Sequence, residues 1–458
     1  MQITMIGAGY VGLTTGTCLA AIGHGVCCYD IDAAKISRLR RFDPPIYEPG
    51  LEDAMRQAVA AGHLRFTSRL RESVSDADVV FIAVGTPAGP GGGIDLSHVL
   101  GAAKRIAPHL KRSALVVIKS TVVVGTARRV RETIARKRSA FDIRVASNPE
   151  FLREGSAMAD FLGPDRIVIG ADDTRSRNIL RALYRPLARA GVPVVATTTG
   201  NAELIKYAAN AFLALKIGFV NDVADLCERT GGDIADVARG IGLDRRIGDS
   251  FLAPGPGFGG SCFPKDTRAF AATGRQFGAP QKLVETLIAR NDQRKVALAR
   301  RILKEGRLSP GGRVAVLGLA FKANTDDVRE SAALTVIPAL QEASLQVIAH
   351  DPKAEANARR HMKDVIWAES PYAACKGASA AIVLTEWDEY RQLNLSRLAG
   401  ELSGDLLVDY RNLFDPQAVV QHGLRYISLG RSAAPADQCT GVSSLKTWDR
   451  RVAAPGHA

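Results

Sequence analysis

The chain has 458 residues, 46% of them hydrophobic and 23% charged, which is the usage of a folded protein with two or three cores and excludes a wholly disordered one. No apolar run reaches the length of a membrane span, so a helical membrane protein is excluded as well. The net charge of +13 is carried by dispersed lysines and arginines, a pattern that suits attraction of an anionic small substrate better than docking on nucleic acid.

At the amino end "MQITMIG" reads as an apolar strand, "GAGYVG" as a glycine turn, "LTTGTCLAAIG" as a helix closed by glycine and "HGVCCYD" as a second strand ending at Asp30. A glycine-rich start of this kind, without a basic leader, is expected of a cytoplasmic protein. Gly7, Gly9 and Gly12 form G-x-G-x-x-G between a strand and a helix. Gly7 permits the tight turn, Gly9 lets a pyrophosphate approach the backbone, and Gly12 lets helix and strand pack closely. Asp30 is placed to bind ribose hydroxyls and to repel a 2'-phosphate, so the expected cofactor is NAD and not NADP.

Further strands follow in "DADVVFIAVGTP" and "ALVVIKSTV", whose ends put Thr86 and Thr121 at the carboxyl edge of a parallel sheet, where ligands bind. "RVRETIARKRSAFDIR" reads as one solvated basic helix. In "SNPEFLREGSAMADFLGPDRIVIG" Glu150 and Glu154 are expected on one face of a short helix. There they either divide acid, base and water-binding work or simply favour the positive end of that helix.

The middle of the chain is helical. In "NAELIKYAANAFLALKIGFVNDVADLCERTG" the residues Glu203, Lys206 and Asn210 fall at i, i+3 and i+7 on one face, which is either surface or the wall of a polar cavity. "PQKLVETLIARNDQRKVALARRILKEG" is a second long helix, placed to run from one sheet to another. So much apolar helix face is expected to be buried in a dimer interface.

Seven cysteines occur without a C-x-x-C pair, which argues against zinc and against a disulfide framework, and no metal centre is expected. One of them, Cys262, lies in "GPGFGGSCFPKDT", just before a helix that Pro264 can open. It is either an inert packed residue or a thiolate favoured by the helix dipole and Lys265, with Asp266 one turn along to take a proton or orient a water.

Beyond residue 310 the strand pattern restarts in "GGRVAVLGLAFK", "LQVIAHDP", "ASAAIVLTEW" and "GDLLVDYRN", with Lys322, Arg329 and Arg411 at or just after strand ends, where they suit phosphates. The expected fold class is therefore α/β, with two Rossmann-like doubly wound parallel sheets joined by a central helical dimerisation region. The boundaries are 1–196, 197–308 and 309–430, followed by a flexible tail over 431–458.

Taken in order, "GAGYVG", "IYEPGLE", "KSTV", "SNPEFLREG", "AELIKYAANAFLA", "FLAPGPGFGGSCFPKD", "FKANTDDVRES" and "DYRN" resemble the UDP-glucose/GDP-mannose dehydrogenases from Met1 to about residue 430. The resemblance implies a four-electron oxidation of a sugar alcohol to a carboxylate with NAD, through a thiohemiacetal and a thioester on Cys262. UDP-glucose is the substrate it suggests first, with GDP-mannose or a UDP-N-acetyl-hexosamine as the alternative. It implies a catalytic shell of Thr121, Glu150, Glu154, Lys206, Asn210 and Asp266 around Cys262. Gly7, Gly9, Tyr10, Val11, Gly12, Asp30, Lys35, Thr86, Thr121, Glu154, Lys265 and Arg329 match the family's cofactor contacts. Glu150, Phe151, Leu152, Arg153, Lys206, Asn210, Arg246, Phe251, Leu252, Gly259, Phe321, Lys322 and Arg411 match those to the sugar nucleotide, with Arg246 and Arg411 at positions that a neighbouring subunit can supply. Val123, Val124 and Ala323 stand where many members carry proline, and they alter loops without touching a reacting group.

Overall fold

The computed structural model describes residues 1–137 and 143–431. The expected tail lies outside the described residues apart from Arg431. The basic helix ends at Ala135 and Arg144 already opens a strand, so the single helix read over that stretch is corrected; residues 138–142 are not described.

An eight-stranded sheet occupies the first part of the chain: β1 (Gln2–Ile6), β2 (Gly25–Tyr29), β3 (Leu64–Thr67), β4 (Val79–Ile82), β5 (Leu115–Ile118), β6 (Arg144–Ser147), β7 (Ile167–Gly170) and β8 (Val194–Thr197). Its order is β3-β2-β1-β4-β5-β6-β7-β8, parallel except where β7 meets β6 antiparallel. A second, wholly parallel sheet is built from β9 (Arg313–Leu317), β10 (Gln346–His350), β11 (Val365–Trp367), β12 (Ala380–Val383), β13 (Leu406–Asp409) and β14 (Arg425–Ser428), in the order β11-β10-β9-β12-β13-β14. In both sheets the strand order reverses beside the first strand, and that reversal opens a crevice at the carboxyl edge.

The central strands are apolar without alternation because helices cover both faces. Val79, Phe81, Leu115 and Val117 are buried among the residues facing one side of the first sheet, while Val80, Ile82, Val116 and Ile118 belong to the other side.

Between the sheets runs a spine helix, Thr199–Thr230. The Thr198 side chain caps its start by accepting from the Asn201 amide, and Gly231 ends it in the left-handed region at φ 78°. The cysteine helix, Phe263–Gln276, packs along the spine, and the bridging helix, Lys282–Gly306, packs on both before leading to β9. Among the described residues no helix is long and apolar enough to cross a membrane, and the six cysteines there are unpaired.

The glycine turn after β1 has the geometry its sequence demands. Gly7 sits at φ +102°, and a Cβ on Gly12 would come 1.9 Å from the Gly7 carbonyl oxygen. A Cβ on Gly9 would meet nothing within 4 Å. Gly9 is the N-cap of the helix Tyr10–Ala21 and offers no side-chain hydrogen bond, so that helix's first N–H groups remain for a ligand. Gly12→Ala should therefore lower the thermal midpoint by several degrees, the response to a loss of about 1–3 kcal/mol in an overpacked site. Gly9→Ala should leave the midpoint within a degree or two while weakening dinucleotide binding, as followed by calorimetric titration.

Candidate active site

Cys262 is the N-cap of the cysteine helix, with Pro264 in the first turn as expected. Its thiol opens into a cavity of about 820 Å³ between the first sheet, the spine and the second sheet. A Cβ on Gly259 would lie 2.5 Å from the Glu330 carbonyl oxygen, so only glycine lets the second-sheet loop lie so close to the cysteine run.

The spine carries Lys206 and Asn210 into this cavity, which settles the choice between surface and interior. Lys206 Nζ lies 3.0 Å from Glu150 Oε1, with both side chains almost fully buried. Burial alone would depress the lysine, but Glu150, Cys262 and Asp266 together hold it above its ordinary value. Burial likewise pushes Glu150 up, and Lys206, the Leu152 N–H and Lys119 outweigh it, leaving the carboxyl below its usual range. Asn210 donates to Asp266 Oδ2 at 2.6 Å, and Lys265 Nζ lies 2.5 Å from Asp266 Oδ1. Glu203 does not join them: it accepts from the Gly125 and Ala127 amides and docks the spine on the helix Thr126–Ala135.

Two expectations are corrected here. Glu150 and Glu154 do not share a helix, because the chain is irregular from Asn148 to Ser156 and helix begins only at Ala157. The buried Glu48 carboxylate accepts from the Gly155 and Ala157 amides and from the Tyr10 hydroxyl, and so holds this stretch open from a distant loop. The thiol, in turn, is pushed up to about 11 by burial; Lys206 is the cation that works against this, whereas Lys265 is engaged by Asp266.

Glu154 accepts from Ser261 Oγ at 2.7 Å and from Thr325 Oγ1 at 3.0 Å, and Ser261 Oγ lies 3.4 Å from Cys262 Sγ. Arg329 pairs with Asp327 at 2.7 Å and approaches Glu154 at 3.8 Å. It stands in the loop after β9 and not at a strand end, a further correction.

Glu150, Phe151, Leu152, Arg153, Glu154, Lys206, Asn210, Phe251, Gly259, Phe321, Lys322 and Arg411 line the cavity with Cys262. Arg411 follows β13, donates to the Leu384 and Phe321 carbonyls, both at 2.7 Å, and lines this chain's own cavity. Lys322 forms no ion pair among the described residues, and burial lowers it. Arg153 is engaged by Asp160 at 2.6 Å. Leu252 is buried but does not line the cavity, and Arg246 is exposed, paired with Asp244 at 2.6 Å and absent from the lining.

Thr86 and Thr121 stand beyond β4 and β5 at the carboxyl edge, outside the cavity lining. Asp30, at the end of β2, accepts from the Ala8 amide at 2.9 Å and from Lys35 Nζ at 2.9 Å. Burial raises this carboxyl, and its hydrogen bonds with Asp32, Lys35 and Ala8 more than reverse the effect. The first residues of the adjacent helix, Tyr10 and Val11, are half-buried. The free space over Gly9, the uncapped helix start and the Asp30 carboxylate fit the pyrophosphate and ribose of a dinucleotide.

Sequence reasoning passed over Ser261, Thr325, Lys119 and Arg166. Lys119 is buried against Asn148 Oδ1 at 3.0 Å, and Arg166 covers the Phe151 ring at 3.7 Å. Ser261, directly beside Cys262 in the glycine run, was the most readable of them.

A dinucleotide turn on one sheet, a thiol set among a lysine, an amide and carboxylates, and cationic side chains on a second sheet define a nucleotide-dependent oxidoreductase. The UDP-glucose/GDP-mannose dehydrogenase family matches in three parts: its NAD binding domain over residues 1–188, its central domain over 200–293 and its UDP binding domain over 315–416. The chain is 51% identical to the UDP-glucose 6-dehydrogenase of Rhizobium meliloti over 94% of its own length and 100% of that protein. It is 47% identical to that of Pseudomonas aeruginosa, over 95% and 98%. A UDP-glucose dehydrogenase structure from Pyrobaculum islandicum superposes with a TM-score of 0.87 at 39% identity, covering 94% of this chain and 98% of that one. The chain belongs to the UDP-glucose/GDP-mannose dehydrogenase family, and it is an NAD-dependent oxidoreductase.

The Asp30–Lys35 pair, 2.9 Å apart beside the glycine turn, offers a test of cofactor preference. Asp30→Ala removes the carboxylate and frees the Lys35 ammonium that it holds at 2.9 Å. The ratio of kcat/KM for NAD over NADP should fall by about 10²-fold, a transition-state difference of roughly 2.7 kcal/mol, as measured with the two cofactors side by side.

Proposed function

We propose that this chain oxidises UDP-glucose to UDP-glucuronate in two successive NAD-dependent steps through a covalent thioester on Cys262. The observation that carries the reading is the placement of Cys262, Lys206, Asn210 and Asp266 at one part of a cavity whose lining also includes Lys322 and Arg411 from the second sheet. The cationic part suits the diphosphate and the thiol part suits the sugar C6. NAD, when bound on the glycine turn, supplies the hydride acceptor for each two-electron step.

The residues divide the remaining work. Lys206 and Asn210 donate toward the C6 oxygen as it takes up negative charge, first in the alcohol and then in the tetrahedral species. Cys262 Sγ bonds to the aldehyde carbon and gives a thiohemiacetal, whose oxidation leaves a thioester. Water then adds to the thioester carbon, the carbon–sulfur bond breaks, and the thiol and the carboxylate are released. Glu150 and Asp266, both buried, hold that water and receive its proton, and Thr121, just past β5, is the third candidate for this work.

The assay that tests this reading follows NADH release over a panel of nucleotide sugars. UDP-glucose should yield two NADH per molecule. Turnover of GDP-mannose or UDP-D-ManNAc instead would reassign the substrate; a structure of the UDP-D-ManNAc dehydrogenase from Pyrococcus horikoshii superposes with a TM-score of 0.83 at 26% identity, covering 95% of this chain and 100% of that one. Cys262→Ser should retain the fold and accumulate a covalent sugar ester visible by intact-protein mass spectrometry, because serine is the poorer leaving group. Cys262→Ala should show no adduct, and near wild-type formation of UDP-glucuronate by both variants would remove the cysteine mechanism.

The proposed working form is a homodimer. Leu204, Phe212, Phe219 and Leu226 form an exposed apolar stripe along the spine, with Phe219 59% exposed, and a second copy covers it at low cost in solvent-exposed apolar area. Arg246, outside its own chain's cavity, is then available to the partner's. Phe219→Glu should convert the dimer to monomer in light scattering, and mixing Arg246→Ala with Cys262→Ala subunits should restore part of the activity lost in each.

A further inference from the structure

The thiol of Cys262 must lose its proton before or as it attacks a carbonyl carbon, yet its surroundings oppose ionisation. It sits in a half-buried residue whose sulfur is pushed up to about 11 by burial, so simple loss of the proton to water leaves little thiolate at neutral pH. Of the carboxylates around it, Glu150 is engaged by Lys206 at 3.0 Å and by the Leu152 amide at 2.6 Å. Asp266 is engaged by Asn210 and Lys265. Glu154 differs from both, because a continuous hydrogen-bond path joins it to the sulfur.

That path has a direction. A serine hydroxyl owns one hydrogen, and the Ser261 hydrogen is committed to Glu154 Oε1 at 2.7 Å. The Ser261 oxygen therefore faces Cys262 Sγ, 3.4 Å away, as an acceptor, and the thiol is the donor. Thr325 Oγ1 donates to the other carboxylate oxygen at 3.0 Å and fixes the Glu154 plane. The chain reads S–H to O–H to carboxylate without a break.

We propose that Ser261 is a catalytic residue that passes the Cys262 proton to Glu154. The sulfur–hydrogen bond breaks as a new bond forms to the Ser261 oxygen, the original serine hydrogen moves to Glu154 Oε1, and the electron pair left on sulfur makes the bond to carbon. Nothing is oxidised or reduced in the step. The site's total charge also stays constant, since one negative charge moves from Glu154 to sulfur; no new charge is created in a region shielded from water. Charges at each end offset part of the cost that burial sets on the thiolate. Burial and the neighbouring Asp327 raise Glu154 against the opposing effects of the Ser261 hydroxyl, Arg329 and Thr325, and Lys206 from the spine stabilises the sulfur anion. Lys322 and Arg329, from the loop after β9, add their positive charge, while Glu150 and Asp266 oppose.

This inference rests on the cysteine reading above, and its test does not depend on the substrate. Deprotonation through Ser261 onto Glu154 as the sulfur attacks gives an alkylation rate that is independent of pH between the two titrations. The rate of iodoacetamide alkylation of Cys262 in the full-length, nucleotide-free protein, read by peptide mass spectrometry, should therefore show a plateau across neutral pH. Glu154→Gln should abolish the plateau and leave a rate that climbs tenfold per pH unit. Ser261→Ala should lower the plateau by about 10²-fold. Ser261→Thr, which keeps the hydroxyl, should restore it, and thermal melts of all three variants report the fold. A wild-type rate that climbs tenfold per pH unit through neutrality, or a Ser261→Ala plateau equal to that of the wild type, would overturn the relay. Turnover of UDP-glucose in the same preparations reports separately on the substrate.

Discussion

The ion pair between Lys206 and Glu150 is the constraint around which the site is assembled. Its two charges are withdrawn from water, at 4% and 5% side-chain exposure, and each is tolerable only because the other is 3.0 Å away. Removing one partner from such a pair costs about 3–5 kcal/mol, because the survivor is left uncompensated. Glu150 follows β6 of the first sheet and Lys206 stands on the spine, so the pair forms only when the spine is docked on that sheet. Glu203 enforces the same docking one turn away, through the amides at the start of the helix Thr126–Ala135.

The same lysine links structure to chemistry. The Lys206 charge acts on the Cys262 sulfur and on Asp266, both carried by the cysteine helix that lies along the spine. The glycine run before that helix has few side chains of its own with which to hold a shape, chiefly Phe258, which packs on Phe263. The bridging helix does most of the holding: Asn291 bonds both the amide and the carbonyl of Phe258, Arg294 donates to the Gly255 carbonyl at 2.8 Å, and Lys295 donates at 2.8 Å to the carbonyl of Glu330, on the loop packed against Gly259. These three side chains are themselves buried, so the loop is positioned as firmly as a core element. The thiol is thus fixed relative to Lys322 and Arg411, which line the same cavity.

What could be read from the chain follows the range of the interactions concerned. The glycine turn, the two long helices and the opening of the cysteine helix by Pro264 were legible because each depends on residues within a few positions of one another. The irregular path from Asn148 to Ser156 was not, because Glu48 imposes it from more than a hundred residues away. Arg411 lies in its own chain's cavity because the Leu384 and Phe321 carbonyls, on separate loops of the second sheet, hold its guanidinium there. The position of Arg246, outside that cavity, likewise carried no mark in its local sequence.

By itself, then, the sequence determined that there are two doubly wound sheets, a helical centre between them, a dinucleotide turn with Asp30 at its acidic position, and a cysteine at a helix start. Periodicity, turn chemistry and capping act between near neighbours, and no tertiary contact is needed to express them. The protonation state of that cysteine, and the path its proton can take, were decided only in the tertiary structure. Burial pushes the thiol up to about 11, Lys206 pulls it down, and Ser261 connects it to Glu154. Each of these effects arises from the exclusion of water and from partners on separate elements. Such quantities belong to the packed molecule, since an extended chain would leave the same thiol solvated at its ordinary value.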